Sequence, residues 1–176
     1  SINDIFVIGY RNTNNVPNAV SASVSATEDT TYALQVSDFA YNDPDDDPLG
    51  AITITSLPAN GSLFFSGTAV LLNNDSTLFR VELADIPSLT FTPNANYNGT
   101  ASFTFRSEDQ FGAVSPSSTL TFAVAAVNDL PTLTGTPATL AAGTEDVAYT
   151  VSIANLLAGY TDVETVNLTV NSLAVY

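Results

Sequence analysis

The sequence predicts an all-β protein, an antiparallel sandwich built in tandem copies, and three observations carry that expectation. Apolar and hydroxyl residues alternate with a period of two over several short stretches, and clusters of Pro, Gly and Asn separate those stretches. The pattern then returns after about 115 residues, roughly the length of one sandwich domain. In chain order, strands are expected at 19–26 and 31–37, and then at Ile52-Thr53-Ile54-Thr55, Leu89-Thr90-Phe91-Thr92, 101–107 and 118–126. The later ones place Ile, Leu or Phe on one face and Thr on the other, as half-buried strands do. Reversals fall at Pro58-Ala59-Asn60-Gly61, Pro93-Asn94-Ala95-Asn96 and Asn98-Gly99. Helical spacing is confined to one short turn at 154–158.

The repeat is explicit in the residues. Thr27-Glu28-Asp29 followed by Tyr32, Leu34 and Val36 returns as Thr144-Glu145-Asp146 followed by Tyr149, Val151 and Ile153. Asp45 and Asp47 are answered by Asp162 and Glu164, and Ile52-Thr53-Ile54 by Leu168-Thr169-Val170. Asn14-Asn15-Val16-Pro17 is echoed by Asn128-Asp129-Leu130-Pro131, each after an apolar strand. The domain plan is therefore a complete module over 15–130, with 1–14 as the last strand of a preceding module or an exchanged strand. Residues 131–176 form the first three strands of a following, incomplete module. Three strands with one apolar face do not close a sandwich, so the second copy is expected to borrow strands from another chain or to belong to a longer polypeptide.

Composition narrows the chemistry. Eighteen acidic and three basic side chains leave a formal charge of −15, with His, Cys, Met and Trp absent. Arg11, Arg80 and Arg106 are the only basic residues, so Lys is absent as well. That set excludes Ser–His and Cys–His nucleophile pairs, imidazole or thiolate metal sites, disulfides and Schiff-base chemistry. Three scattered arginines do not make a phosphate-neutralising patch, so no nucleic acid partner is expected. No signal segment or membrane span is visible, and the apolar share of 45% is enough for a core.

Three stretches carry a family likeness. They are Thr27-Glu28-Asp29, Asp43-Pro44-Asp45-Asp46-Asp47-Pro48-Leu49, and Phe91-Thr92-Pro93-Asn94-Ala95-Asn96-Tyr97-Asn98-Gly99-Thr100. Together with Glu108-Asp109 before the final strand and Asn128-Asp129 after it, the chain resembles a cadherin repeat, and more closely the cadherin-like modules arrayed in bacterial surface adhesins. The resemblance implies a seven-stranded, Greek-key, cadherin/immunoglobulin-like β-sandwich located extracellularly, secreted or on the cell surface, with calcium stiffening the junctions between modules.

A strand plan for such a sandwich gathers the acids at two poles. The upper pole receives Asp45, Asp47 and Asp109 beside the linker residue Asn15. The lower pole receives Glu28 with Asn128, Asp129, Asp162 and Glu164. Both offer the carboxylate and amide oxygens that calcium takes six to eight at a time. One ion per junction is expected, with the lower site the stronger because Asp129 is charged where the upper linker has Asn15. Asp29, Asp43 and Asp46 are expected as neighbours of the ligands, and Asp75 and Asp85 as surface residues. Asp43, Asp45 and Asp47 have the opening spacing of an EF-hand loop, but Pro48 and Ile54 stand where that loop needs Gly and Glu. Relative to cadherin linkers, Ala126 replaces the first Asp and Leu130 the last Asn.

The function that follows is a non-catalytic spacer or adhesion module whose partners are neighbouring modules of the same chain or of identical chains, with a surface glycan or protein receptor as a further partner. Two other readings compete. Residues 1–14 could complete the open half-module of a second chain and build a filament. Alternatively, Tyr32, Tyr41, Tyr97 and Tyr149 could serve as platforms of a carbohydrate-binding module, although Tyr97 before Asn98-Gly99 also fits a corner tyrosine that caps a crossing loop. A glycosidase carboxylate pair is the one catalytic option left by the composition, and no cleft or Trp accompanies it.

Overall fold

A computed structural model of the chain describes residues 13–72, 78–165 and 167–172. The expected strand at Ile5-Phe6-Val7-Ile8, Arg11 and Asp75 lie outside the described residues. The chain divides into two compact units, one ending at Ala125 and one beginning at Ala126.

Unit 1 is a two-sheet β-sandwich. Its nine strands among the described residues are β1 (Ala22–Thr27), β2 (Tyr32–Ala33), β3 (Leu49–Ile54), β4 (Gly61–Phe65), β5 (Thr68–Ala69), β6 (Phe79–Glu82), β7 (Leu89–Pro93), β8 (Gly99–Asp109) and β9 (Ser118–Ala125). One sheet has the order β1-β9-β8-β3-β6 and the other β2-β7-β4-β5. Period-two burial runs through β7, β8 and β9, so their inward residues Phe91, Phe103, Phe105, Leu120 and Phe122 are essentially inaccessible to solvent. Phe91 and Phe122 stack with ring centroids 3.9 Å apart, and Phe39 meets Phe105 edge-on at 5.0 Å. Leu34, Ile52, Ile54, Leu63, Ile86 and Leu89 complete this core.

Two features depart from the sequence expectation. The sandwich is not wholly antiparallel, because β1 runs parallel to β9 with Ala22 opposite Leu120 and Thr27 opposite Ala125. The expected strand at 31–37 ends after Ala33 and turns into a 3-10 segment, Val36–Asp38. The cause is local: the Asp38 carboxylate accepts the Gln35 backbone N–H at 2.7 Å, holding a turn that extended pairing cannot accommodate. That turn buries Phe39 and directs the chain into the acidic loop before β3.

Unit 2 contains β10 (Thr132–Leu133) paired with β11 (Tyr160–Thr161), and one short helix, α1 (Ile153–Leu157). Ser152 caps α1 by accepting the Asn155 N–H. The expected strand around Leu168-Thr169-Val170 makes no ladder pairing among the described residues. The copies of β6 and β8 that flank its counterpart in unit 1 are not among them. Val151 of unit 2 is 38% exposed, whereas Leu34, its counterpart in the repeat, is fully buried.

Candidate functional site

Three segments of unit 1 meet at the pole above β3 and β8. The first is the loop 41–48, which the prolines Pro44 and Pro48 keep out of regular structure. Within it the Oδ1 of Asp43 accepts the backbone N–H of Asp45 at 2.8 Å and, more weakly, that of Asp47 at 3.4 Å. This curls the loop so that Asp43, Asp45 and Asp47 each bring a carboxylate oxygen within 4.8 Å of the others. The second segment is the end of β8. Asp109 lies opposite Leu49 at a bulge where Gly50 passes so close that a Cβ would sit 2.8 Å from the Asp109 carbonyl oxygen. Its Oδ1 accepts the N–H groups of Phe111 at 2.8 Å and Ala113 at 3.0 Å.

The incoming linker is the third segment, tied to both carboxylate loops. Asn14 donates its side-chain N–H to Asp109 Oδ2 at 3.0 Å. Asn15 donates its backbone N–H to Asp45 Oδ2 at 2.6 Å and its side-chain N–H to Asp45 Oδ1 at 2.9 Å. The residue separations, 95 and 30 positions, make the arrangement a product of the tertiary fold rather than of local turns.

The electrostatics are those of concentrated negative charge. Asp43 and Asp109 are buried, at 5% and 2% exposure, and the Asp43 Oδ2 has no hydrogen-bond partner among the described residues. Burial, followed by the fields of Asp43, Asp45, Asp109 and Asp46, pushes the Asp47 carboxyl above the usual range. Burial acts on Asp109 in the same direction. There it is outweighed by hydrogen bonds from Ala113, Asn14, Phe111 and Gly112, which hold that carboxyl below the usual range. Tyr41, whose hydroxyl donates to the Asp47 carbonyl oxygen at 2.9 Å, is pushed up to about 12 by burial and by Asp43, Asp109 and Asp47. A buried acceptor without a donor costs on the order of 1–3 kcal/mol and more when charged, and a hard cation supplies what it lacks.

Unit 2 repeats the arrangement with fewer acids. Asp162 Oδ1 accepts the N–H groups of Glu164 at 3.1 Å and Thr165 at 2.7 Å, and Glu164 Oε2 accepts the backbone N–H of the linker residue Asp129 at 3.0 Å. Asn128 turns its side chain onto the Asp129 carbonyl at 2.7 Å. The Glu164 Oε1 is buried with no hydrogen-bond partner among the described residues, as Asp43 Oδ2 is in unit 1. In both units one acid caps the residue two positions later, and that residue's carboxylate holds the linker N–H. This pattern equates Asp43 with Asp162 and Asp45 with Glu164, two positions away from the register of the sequence repeat.

The structure thus gathers Asn15, Asp45, Asp47 and Asp109 at one pole of unit 1 and adds Asp43, which the sequence alone suggests only as a neighbour of the ligands. The signal that could have found Asp43 is its place two residues before Asp45, the spacing of an Asx turn. Asn128, Asp129, Asp162 and Glu164 lie together in unit 2. Glu28 belongs to unit 1, fully buried, with its N–H bonded to the carbonyl of Ala125 at the end of β9. Asp29 accepts the Asn96 N–H, and Asp85 is exposed in a 3-10 segment. Among the tyrosines, Tyr32 packs edge-on against Phe122, while Tyr97 donates to the Thr100 carbonyl at 2.7 Å and accepts from Asn60 at 2.9 Å. Tyr149 is 47% exposed.

Comparison with known proteins places these features in context. The family model for the bacterial Ig domain matches residues 14–123, and the model for the cadherin-like domain matches residues 127–176. A solved structure of the Clostridium thermocellum CbhA fibronectin(III)-like modules is 11% identical; the match covers 63% of this chain and 98% of that one, at a TM-score of 0.22. No curated protein sequence matches the chain. No helix among the described residues is long and apolar enough to cross a membrane.

Proposed function

The chain belongs to the bacterial Ig domain family, and from that premise we propose that it is a calcium-stiffened spacer of a bacterial surface protein. The observation that carries the reading is the pair of buried carboxylate oxygens, Asp43 Oδ2 and Glu164 Oε1, which lack a hydrogen-bond partner among the described residues and lie beside acids that grip a linker. The donor set fits the ion: carboxylate and carbonyl oxygens suit a hard cation, and the composition offers no His or Cys.

In unit 1, Asp43, Asp45, Asp47 and Asp109 would hold calcium. In unit 2, Asp129, Asp162 and Glu164 would do so. The ion would supply positive charge that reverses the mutual repulsion of these carboxylates. The chain's own contribution is to place the linker against the acids. Asn14 and Asn15 fix the entry to unit 1, and Asp129 fixes the entry to unit 2, so a filled cluster keeps each linker in one conformation and an empty one releases it. Linkers held in this way make tandem modules extend as a rod, which is what a spacer projecting an adhesive end from a cell requires.

The test is thermal unfolding in calcium, in magnesium and in chelator, combined with limited proteolysis at 13–17 and 127–131. A melting temperature raised by calcium well beyond magnesium, together with linker protection in calcium alone, is the expected result. Equal stability and equal cleavage in all three conditions would overturn the reading.

A further inference from the structure

We propose that Asn98 is a site of spontaneous deamidation in the folded protein, while the fold keeps the other Asn-Gly step, at Asn60-Gly61, from reacting. The modification turns the Asn98 amide into a mixture of aspartate and isoaspartate. An Asn followed by Gly is the step most open to this chemistry, because a residue without a Cβ leaves its backbone nitrogen unobstructed and its backbone free to turn. The chain has two such steps, Asn60-Gly61 and Asn98-Gly99.

The structure separates the two. Asn60 is half-buried in the turn before β4, where its side-chain N–H donates to the Tyr97 hydroxyl at 2.9 Å and its carbonyl oxygen accepts the Asn94 N–H at 3.2 Å. Gly61 is fixed as well: it lies opposite Pro93 in the ladder of β4 and β7, so close to the Phe91 ring that a Cβ would stand 2.4 Å from it. The amide carbon of Asn60 and the nitrogen of Gly61 meet only if these contacts break. Asn98 and Gly99 are both exposed, and the Asn98 side chain makes no hydrogen bond among the described residues. Asn98 stands in the turn between β7 and β8, outside both strands. Gly99 opens β8 at a φ of +129°, and a Cβ there would stand 3.1 Å from the Tyr97 hydroxyl. The fold therefore requires the very glycine that makes Asn98 reactive.

The reaction balances with water as the co-reactant. The Gly99 nitrogen attacks the Asn98 Cγ and closes a succinimide ring; the Cγ–Nδ2 bond breaks, and the amide nitrogen leaves as ammonia with the proton that Gly99 gives up. Water then opens the ring at one of its two carbonyls. Opening at Cγ leaves aspartate. Opening at the Asn98 backbone carbonyl leaves isoaspartate, which routes the main chain through the side-chain carbons and lengthens it by a methylene. Either product adds one negative charge to a chain that stands at −15. That charge falls in the turn whose Asn96 N–H is held by the Asp29 carboxylate at 3.1 Å.

The test is to age the full chain at mildly alkaline pH, folded in one arm and unfolded in urea in the other, and to follow both steps by mass spectrometry of tryptic peptides. Cleavage after Arg80 puts Asn60 and Asn98 in different peptides, and fragmentation places each conversion and tells aspartate from isoaspartate. In the unfolded chain the two steps are expected to convert at similar rates. In the folded chain Asn98 is expected to convert at least tenfold faster than Asn60. A folded chain that keeps Asn98 intact while the unfolded chain loses it would overturn the proposal. So would a ratio of the two rates that folding leaves unchanged.

Discussion

Replacing Asp43 by Asn should move stability in opposite directions with and without calcium. Asp43 is buried, its Oδ1 shapes the acidic loop and its Oδ2 lacks a hydrogen-bond partner among the described residues. An amide keeps the Oδ1 acceptor, removes one charge from the cluster and turns the unsatisfied oxygen into a donor facing Asp45 and Asp47. Without calcium this should stabilise unit 1 by about 1–2 kcal/mol, the scale of an unmet buried acceptor, and raise Tm by roughly 4–8 °C for a domain of this size. With free calcium a hundredfold above the dissociation constant, the parent gains about 2.7 kcal/mol. If loss of one buried carboxylate weakens the ion a hundredfold, the variant gains only about 0.4 kcal/mol from the same linkage. Calorimetry of both proteins in calcium and in chelator reads all four values. A variant destabilised equally in the two conditions would refute the reasoning, because Asp43 would then act only as a turn residue.

Phe122→Ala removes a ring that stacks on Phe91 and meets Tyr32 edge-on, and should cost about 3–5 kcal/mol, read by denaturant unfolding. At Gly61→Ala the new Cβ would collide with the Phe91 ring and lie 2.7 Å from the Thr92 carbonyl oxygen. A loss of roughly 1–3 kcal/mol is expected, measured in the same way. Stability against pH in calcium-free buffer should show two opposing limbs. The raised Asp47 carboxyl means the folded state binds more protons, so stability is gained as pH falls from neutral through its folded value. The depressed Asp109 carboxyl contributes stability that is lost as pH falls further, below the ordinary carboxylate range, and Asp109→Asn should flatten that lower limb.

Much of the sandwich is legible in the sequence because half-buried strands must alternate. Phe103-Thr104-Phe105 and Leu120-Thr121-Phe122 state their inward faces outright, and both sets are buried as read. What alternation does not carry is pairing direction, so the parallel run of β1 along β9 emerges only from the fold. The 3-10 turn after Ala33 has no signature in the alternation, because one Asp38 side chain decides it against an apolar pattern that also suits a strand. At the site, acids near the linkers could be listed from strand directions alone. Which acid is buried could not, since Asp43 differs from Asp46 in the turn its own oxygen makes and not in residue type. The hold of Asn14 on Asp109 joins residues 95 apart and has no local signature.

Calorimetric titration of the full chain with calcium tests the central claim most directly. The account predicts two binding events, one lost in Asp43→Asn and the other in Glu164→Gln, with magnesium much weaker at both. Heats that are absent, or that neither substitution changes, would contradict it and leave the two clusters as solvated acidic loops.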